Sequence, residues 1–458
     1  MFQIDLDLVK KYDKPGPRYT SYPTAPHFNE SFTSQNYLDE IIKTNYGDKL
    51  PDLSLYYHLP YCDTLCYFCG CNMLITRNRD RVKEYISYVK KEIDLLRTYL
   101  LPDRKVSQLH WGGGTPTHLL PEEINELASY INSSFNIKQD SENGCEIDPR
   151  ELKKEHLEAL RNNGFNRISM GVQDFNHKVQ KAVNRIQPEG ITRQTVDWVR
   201  ELGFSSINLD LMYGLPFQTI DSFSKTVDKI IDISPDRIAV FNYAHVPWMK
   251  KHMGLIHTED LPEPEAKLEI LKMTIEKLTS AGYVFIGMDH FAKPDDELAI
   301  ALNEKKLYRN FQGYSTHAGT DLYSMGITAI SQLNNIYTQN FKTEKEYYES
   351  LDKDTLPVAK GYHLTEDDQL RRDVIMKLMC NFELDMNAIS EKYNISFKDY
   401  FQFGLDNLKE FQKDKLVKIE NDKITVTEMG KLLIRNIAIN FDGYIERKED
   451  TAKYSKTI

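Results

Sequence analysis

The sequence lacks any apolar run long enough to cross a bilayer, and it has no excess of positive charge. None of its hydrophobic stretches approaches the roughly 18 residues that a membrane-spanning helix needs. The formal net charge of −10 disfavours binding to nucleic acid, so no nucleic-acid partner is expected. Residues 1–7 alternate with acids and carry no basic stretch, so a secretory signal is not expected either. These absences favour a cytoplasmic protein.

Cysteine is also scarce, and its distribution is uneven. Four of the six cysteines lie between Cys62 and Cys71, with the spacing C-x3-C-x2-C-x-C. Thiols this close can form disulfides, bind a structural zinc ion or hold an iron–sulfur cluster. Nothing in the sequence indicates export to an oxidising compartment, which makes disulfides the weakest interpretation. Zinc usually takes two separated pairs of ligands, and no second pair follows. Three cysteines at this spacing among aromatic residues favour a cluster over zinc.

Beyond the cysteines, short apolar runs alternate with amphipathic helical patterns. The predicted strands are Leu53–His58, Val106–Trp111, Cys145–Ile147, Arg167–Val172, Ser206–Leu211, Arg237–Tyr243 and Tyr283–Met288. Repeated strand–helix units predict parallel strands joined by right-handed crossovers. We therefore predict an α/β fold built on a partial (β/α)6 barrel of the TIM type. Periodicity alone leaves an open doubly wound sheet as the alternative.

Polar or glycine-rich residues follow each of these strands at its carboxyl end. They are His58, Gly112–Gly114, Glu146, Asp148, Gln173, Asp174, Asp210 and His245. The carboxyl ends of parallel barrel strands share one rim, where catalytic groups collect. The sequence therefore predicts one site on one rim.

The first 50 residues do not follow the strand–helix pattern. Prolines between Pro15 and Pro26 forbid a regular helix there, which predicts an extended arm over residues 1–50. Tyr19, Tyr22 and Phe28 are costly to leave in water, so the arm is expected to pack on the main body.

The last hundred residues change character again. We predict the catalytic barrel over residues 51–352 and a mainly helical C-terminal domain over residues 353–458. A helix should begin after Thr365, and a hairpin about Asn421-Asp422 followed by a helix through Ile437 is typical of a winged-helix module. In an acidic chain this module is expected to pack against or cover the barrel rather than to bind DNA.

Several single residues leave two interpretations open. Asp210 and Glu146 lie in apolar strands, where a carboxylate needs an ion-pair partner or a ligand. Arg185 and Arg309 can bind a carboxylate through two N–H groups or lie in solvent. His58 can be a metal ligand, a proton donor or a structural histidine.

The motifs also resemble a known family. Cys62, Cys66 and Cys69, with the aromatic Phe68 before the third, match the signature of the radical S-adenosylmethionine superfamily. The longer matching stretches are Arg18–Ala25, His110–Thr117, Glu146–Arg150, Asn166–Phe175, Asp210–Pro216, Phe241–His245, Gly287–Ala292 and Arg309–Tyr314. Together they are similar to the oxygen-independent coproporphyrinogen III oxidases over nearly the whole chain.

The resemblance implies a reaction. A 4Fe–4S cluster on three cysteines, with its fourth iron open, would bind S-adenosylmethionine and generate a 5′-deoxyadenosyl radical. Two propionate side chains of coproporphyrinogen III would each lose CO2 and become vinyl groups, giving protoporphyrinogen IX for haem biosynthesis. The enzyme would be an oxidoreductase and would need an electron donor such as a flavodoxin or ferredoxin system. A monomer is expected, because the arm and the C-terminal module cover the barrel.

The resemblance also implies site residues. Cys62, Cys66 and Cys69 would bind the cluster, whereas Cys71 would not. Two molecules of S-adenosylmethionine are implied, the first in contact with Tyr56, Gly113, Glu146, Ala244 and Ile330. The second would contact Phe68, Gly114, Thr115, Gln173, Arg185 and Asp210. Catalytic roles are not assigned, and the candidates are His58, Cys71 and Arg18.

A haem-binding chaperone of the same superfamily is the alternative function. The Arg18–Ala25 stretch and Cys71 argue against it, since chaperone-like relatives usually carry an aromatic residue in place of Cys71. One departure from the oxidase pattern is His317-Ala318-Gly319, where relatives tend to be more polar. Contacts near that segment are therefore not predicted.

Overall fold

The computed structural model describes residues 4–46 and 50–446. Its strands are β1 Leu53–Leu59, β2 Tyr61–Cys62, β3 Leu74–Ile75, β4 Lys105–Gly113, β5 Asn136–Ile147, β6 Arg167–Gln173, β7 Ser206–Tyr213, β8 Arg237–Asn242, β9 Val284–Gly287, β10 His290–Ala292, β11 Tyr308–Asn310, β12 Gly313–Ser315, β13 Asp321–Met325, β14 Ile330–Leu333, β15 Ile336–Asn340, β16 Val358–His363, β17 Glu383–Asp385, β18 Val417–Glu420 and β19 Lys423–Val426. Its helices are α1 Leu6–Tyr12, α2 Ser34–Thr44, α3 Arg79–Arg97, α4 Pro121–Ser134, α5 Lys154–Asn162, α6 His177–Ala182, α7 Glu189–Glu201, α8 Ile220–Ile233, α9 Pro264–Ser280, α10 Glu297–Asn303, α11 Glu344–Leu351, α12 Glu366–Asn381, α13 Met386–Tyr393, α14 Phe397–Tyr400, α15 Gln402–Lys413, α16 Glu428–Leu432, α17 Ile434–Ala438 and α18 Gly443–Glu446.

One twelve-stranded sheet organises the chain. Its strand order is β16-β15-β14-β13-β1-β4-β5-β6-β7-β8-β10-β9. The six strands β1 and β4 to β8 are parallel neighbours in chain order, and helices lie in the connections between them. The predicted partial (β/α)6 barrel is therefore confirmed. The sheet continues beyond β1 through the parallel strand β13 and the antiparallel strands β14 to β16.

Alternating side chains set the two faces of the barrel strands. In β6, Ile168, Met170 and Val172 are buried, whereas Ser169 and Gly171 are less enclosed and line a cavity. Successive side chains of a strand point to opposite faces, so the apolar set packs under the helices and the polar set faces the barrel interior. The interior-facing side chains of β6 are therefore polar or small.

The helices between the strands have stripes of apolar residues that pack against the sheet. In α3, Val82, Ile86, Val89 and Ile93 are buried at helical spacing, and the Asn78 side chain caps the first turn. One expectation was wrong in detail. Strand β5 begins at Asn136 rather than at Cys145. The early part of β5 is polar, so hydrophobic patterning does not identify it.

The N-terminal arm is more regular than predicted. It contains two α-helices, α1 and α2, on either side of the proline-rich segment. The prolines do exclude an α-helix from that segment, where only a 3-10 turn over Ala25–His27 forms. Tyr19, Tyr22 and Phe28 are buried, so the expected packing of the arm is confirmed.

The C-terminal part contains the predicted hairpin. Strands β18 and β19 pair about Asn421 and Asp422, whose φ angles of 51° and 58° suit a tight two-residue turn. Thr365 caps α12 through a capping box with Asp368, as predicted. The apolar helix predicted through Ile437 is instead divided at Leu433 into α16 and α17.

The domain boundaries remain a proposal. Strand β16 pairs with β15 in the main sheet, although it lies beyond the predicted boundary at residue 352. We therefore propose that the C-terminal domain begins after His363. The arm is not separate in its packing, because Tyr19 and Tyr22 share a core with α12 and α17, whereas Val9 and Ile41 join the barrel core. In the described part of the chain, no helix is long and apolar enough to span a membrane.

Candidate functional site

The cysteine loop leaves the carboxyl end of β1 and packs against the glycine loop after β4. Gly114 N–H donates to the carbonyl of Leu59 at 2.9 Å, and Thr115 N–H donates to the carbonyl of Tyr61 at 2.8 Å. A Cβ on Gly114 would lie 2.5 Å from the carbonyl oxygen of Pro60. The two loops approach this closely because Gly114 has no side chain.

The thiols of the loop share one cavity. Cys62, Cys66, Cys69 and Cys71 all line this cavity of about 160 Å³. Arg150 and Arg185 each direct an Nη group to the Cys66 sulfur, at 3.4 and 3.7 Å. All six cysteines are free thiols. Cationic N–H donors stabilise a sulfur that carries negative charge, as a cluster-bound thiolate does.

The donor set fits a 4Fe–4S cluster better than a single ion. No three His, Cys, Asp or Glu side chains within residues 4–46 and 50–446 lie close enough together to bind one metal ion. A cubane cluster binds its thiolates at separate irons and so accepts a wider spacing. A hydrogen bond between the Cys69 and Cys71 thiols lowers the pKa of Cys69 and raises that of Cys71.

Glu146 at the end of β5 is held as an anion. Gly113 N–H donates to its Oε2 at 3.2 Å, and His110 Nε2 lies 3.4 Å from its Oε1. Burial opposes ionisation, but these two contacts outweigh it, so the pKa of Glu146 is lowered. A Cβ on Gly112 would lie 2.9 Å from this carboxylate. The glycine loop thus leaves room for Glu146 and donates to it.

The pKa of Asp210 on β7 is shifted in the opposite direction to that of Glu146. Asn208 donates to its Oδ1 at 2.7 Å, and no ion pair to Asp210 forms in the described residues. Burial raises its pKa to about 7. Of the two interpretations that the sequence left open, the structure disfavours the ion pair. Asp210 faces the cavity with the cysteines.

Arg185 is fixed beside the cysteines by two partners. Its Nη1 lies 3.0 Å from Asp148 Oδ2, and its Nη2 donates to the carbonyl of Gly171 at 2.7 Å. Its Nε is buried without a partner in the described residues. Gln173, with φ of 67°, also lines the cavity and has an unpaired Oε1. These two side chains retain polar atoms for a ligand.

The contacts of His58 favour a structural role. Its Nε2 lies 2.9 Å from the carbonyl of Asn72, so Nε2 carries the proton, and Nδ1 accepts from the Tyr56 hydroxyl at 3.3 Å. Burial lowers its pKa, which keeps the ring neutral. Both nitrogens are therefore occupied, and His58 fixes Tyr56 and the segment after the cysteines.

The predicted site residues do not all meet. Phe68, Gly114, Thr115, Glu146, Gln173, Arg185 and Asp210 line the cavity with the cysteines. Ala244 is exposed after β8, and Ile330 packs with Phe28, Phe311 and Tyr337 instead. Arg18 pairs with Asp289 at 3.1 Å. Asp174 is buried and accepts hydrogen bonds from Thr226 and Gln218, which supports a structural role.

Sequence reasoning missed three residues of the site. Arg150 binds Asp148 and reaches Cys66, His110 contacts Glu146, and Ser169 lines the cavity. Each lies within or beside a motif that carried the resemblance. The alternation of side chains along the strands does not indicate which polar side chains contact the cysteines, Glu146 or the cavity.

Comparison with known proteins places this geometry in a family. The model for the radical SAM superfamily matches residues 56–230, and the model for the HemN C-terminal domain matches residues 364–433. The oxygen-independent coproporphyrinogen III oxidase of Synechocystis sp. is 46% identical over 100% of this chain and 98% of its own length. The enzyme of the same name from Escherichia coli is 47% identical over 99% of this chain and 98% of its own length. The solved structure of coproporphyrinogen III oxidase from Escherichia coli, described as a radical SAM enzyme, superposes with a TM-score of 0.91 at 46% identity and covers 96% of this chain and 99% of that one. The chain therefore belongs to the oxygen-independent coproporphyrinogen III oxidase family of radical SAM enzymes.

Proposed function

We propose that this protein converts coproporphyrinogen III to protoporphyrinogen IX by oxygen-independent oxidative decarboxylation of two propionate side chains. The observation that carries the proposal is the convergence of Cys62, Cys66 and Cys69 on one cavity that also contains Glu146 and Asp210. The full-length likeness to enzymes of that name supports the choice of substrate.

Some residues of the site would hold the cluster, and others would bind S-adenosylmethionine. Cys62, Cys66 and Cys69 would hold three irons of a 4Fe–4S cluster, and Arg150 and Arg185 would offset its negative charge. When bound, the cluster would supply the electron that cleaves S-adenosylmethionine to the radical that takes a hydrogen atom from the substrate. The anionic Glu146 suits cationic or hydroxyl groups of S-adenosylmethionine, the free Nε of Arg185 suits its carboxylate, and the free Oε1 of Gln173 suits its amino or hydroxyl groups.

Two molecules of S-adenosylmethionine are part of the proposal. Glu146, which accepts from the N–H of Gly113, and Tyr56 would contact the first molecule, and Arg185, Gln173 and Asp210 would contact the second. Equilibrium dialysis of the reconstituted protein should give a stoichiometry near two. A Glu146→Gln variant should weaken one class of site and leave the other, whereas an equal loss at both would contradict separate sites.

The reaction itself is tested anaerobically. The protein is reconstituted with iron and sulfide and then supplied with dithionite, S-adenosylmethionine and coproporphyrinogen III. We expect 5′-deoxyadenosine, methionine and a divinyl product. Deoxyadenosine without a vinyl product would refute the oxidase function. Tight haem binding without turnover would favour the chaperone instead.

We also infer that a separate protein of the flavodoxin or ferredoxin class delivers the electron. The loop after β8 lies against the cysteines, where Lys250 Nζ donates to the carbonyl of Cys71 at 2.9 Å and His252 Nε2 lies 2.8 Å from that of Cys69. Trp248 is 70% exposed on the same loop, and Lys251 is exposed beside it. An exposed aromatic among cations suits an acidic partner close to the cluster.

The proposed binding surface for the electron donor is tested by comparing two electron donors. Lys251→Glu should slow turnover several-fold when reduced flavodoxin is the donor and leave the dithionite-driven rate unchanged. Lys409→Glu on the distant α15 makes the same charge change and serves as the control, since its side chain is 74% exposed. Equal loss with both donors would place the effect of Lys251 on the catalytic site.

We also propose that the protein is cytoplasmic and monomeric. A cytoplasmic location is supported by three thiols that must stay reduced to bind iron. A monomer is supported by the packing of the arm and the C-terminal helices onto the barrel. Sedimentation velocity of the reconstituted protein should give a mass near 53.4 kDa, and a stable dimer would contradict this part.

A further inference from the structure

Cys66 differs from the other two proposed cluster ligands in the groups that surround its sulfur. Two guanidinium groups direct N–H donors to this sulfur: Arg150 Nη2 lies 3.4 Å from it, and Arg185 Nη1 lies 3.7 Å from it. In the part of the chain that the structure describes, neither Cys62 nor Cys69 receives an N–H from an arginine or lysine at its sulfur. The chain therefore places its cationic donors at one of the three thiols.

Asp148 holds the Arg150 side chain in this orientation. Arg150 Nε donates to Asp148 Oδ1 at 3.0 Å, and Nη2, which also reaches Cys66, donates to Asp148 Oδ2 at 2.6 Å. The backbone N–H of Arg150 donates to Oδ1 as well, at 3.1 Å. Pro149 lies between the two residues, and its ring fixes its own φ and so restricts the turn. Binding of a carboxylate through two N–H groups fixes the plane of a guanidinium, so Nη2 is directed at the sulfur.

Two guanidinium groups and one carboxylate leave a net positive charge beside the Cys66 sulfur. Asp148 is shared, because Arg185 Nη1 also lies 3.0 Å from its Oδ2. The side chains of Arg150, Asp148 and Arg185 are 15%, 16% and 9% exposed, so water screens their charges less than at the surface. Arg185 also donates to the carbonyl of Gly171, and its buried Nε is the atom proposed for the carboxylate of S-adenosylmethionine. Arg150 makes the shorter contact to the sulfur and is therefore the better placed of the two to act on it.

We propose that Arg150, oriented by Asp148, raises the reduction potential of the cluster through its hydrogen bond to the Cys66 sulfur. The inference rests on the part of the proposed function that places a 4Fe–4S cluster on Cys62, Cys66 and Cys69. One electron taken up from the donor adds one negative charge to the cluster and its sulfur ligands. A donated N–H and a nearby positive charge stabilise this reduced form more than the oxidised form, and hydrogen bonds to the sulfurs help to set the potential of such clusters. Arg150 acts through Cys66 and is thus a positioning residue that needs no contact with the substrate.

The test measures a potential and not turnover. The reconstituted protein is titrated with dithionite in the absence of S-adenosylmethionine, and the reduced cluster is followed by electron paramagnetic resonance. Arg150→Gln should lower the ratio of reduced to oxidised cluster at a fixed potential by roughly tenfold, near the lower end of the effect of a charged hydrogen bond, which for one electron moves the midpoint about 59 mV to more negative potential. Arg150→Lys keeps the charge but cannot bind Asp148 through two N–H groups and reach Cys66 at once, so its midpoint should lie between those of Arg150→Gln and the parent protein.

A matched variant and the iron content separate this role from a structural one. Arg97→Gln removes the same charge from an exposed position in the last turn of α3, at the opposite end of the barrel from the cysteine loop, and should keep the parent midpoint. A lower iron content in Arg150→Gln with an unchanged midpoint in the remaining cluster would overturn the inference, because a merely structural residue acts in that way.

The lysine variant decides the outcome if Arg150→Gln retains no cluster. A midpoint of Arg150→Lys equal to that of the parent protein would then overturn the inference. Unchanged midpoints in a protein that forms vinyl product would refute this inference and leave the proposed function standing. The expected shift in a protein that forms no vinyl product would refute the proposed function alone.

Discussion

Replacing Gly113 by alanine tests how the glycine loop supports the site. Gly113 has φ of 107°, and an added Cβ would lie 2.5 Å from the ring of His58. A side chain at positive φ costs about 1–2 kcal/mol. The His58 ring would also have to move, which would break its contacts to Asn72 and Tyr56. Each such hydrogen bond contributes about 0.5–1.5 kcal/mol, so the total loss is about 2–5 kcal/mol.

The assay is urea unfolding of the cofactor-free protein under reducing conditions, followed by far-UV circular dichroism. Two other glycines separate the contributions. Gly203 has φ of 74° and nothing within 4 Å of an added Cβ, so Gly203→Ala should lose only the backbone part. Gly190 has open space and no positive φ, so Gly190→Ala should cost nothing. A Gly113→Ala variant as stable as Gly203→Ala would refute the reasoning, because the His58 contact would then carry no energy.

Two further predictions concern single side chains. Cys66→Ser should prevent cluster assembly, which is measured as loss of the visible iron–sulfur absorption. Cys380→Ala in the core of α12 serves as the control and should keep that absorption. An unchanged spectrum in Cys66→Ser would overturn the ligand assignment. Burial raises the pKa of Glu92 from its ordinary value of 4.5 to about 7, so the stability that Glu92 contributes is present below pH 4.5 and lost as the pH rises through 7. Relative to Glu92→Gln, the parent protein should therefore lose up to about 3 kcal/mol of unfolding free energy over that range, and parallel pH profiles would contradict the assignment.

Local chemistry explains which elements the sequence predicts well. The hairpin at Asn421-Asp422 needs two residues that accept positive φ, and the start of α12 needs a capping side chain at Thr365. Both signals lie within a few residues. The barrel strands are also predicted from local sequence, because apolar side chains alternate continuously along them. In the site, the cysteine spacing likewise lies within one short loop and needs no tertiary information.

Long-range pairing explains what the sequence does not predict. Strand β13 pairs with β1, although more than two hundred residues separate Leu53 from its partner Asp321. Nothing near Asp321 indicates that partner. The same holds in the site, where Arg150 reaches Cys66 and His110 reaches Glu146 through strands whose order is known only after folding. Arg309 is one of two arginines whose role the sequence leaves open, and its burial beside the Tyr314 ring is visible only in three dimensions.

The two ends of the chain are joined by direct hydrogen bonds. The Tyr19 hydroxyl donates to Asp442 at 2.9 Å, the N–H of Gly443 donates to the Tyr22 hydroxyl at 2.9 Å, and Asn436 donates to the carbonyl of Tyr12 at 2.6 Å. A ribosome makes the arm before it makes these partners. The barrel strands are complete well before α17 emerges, so they can fold while the arm still has no place to pack. The two ends of the described chain are therefore joined only after the barrel strands have been made.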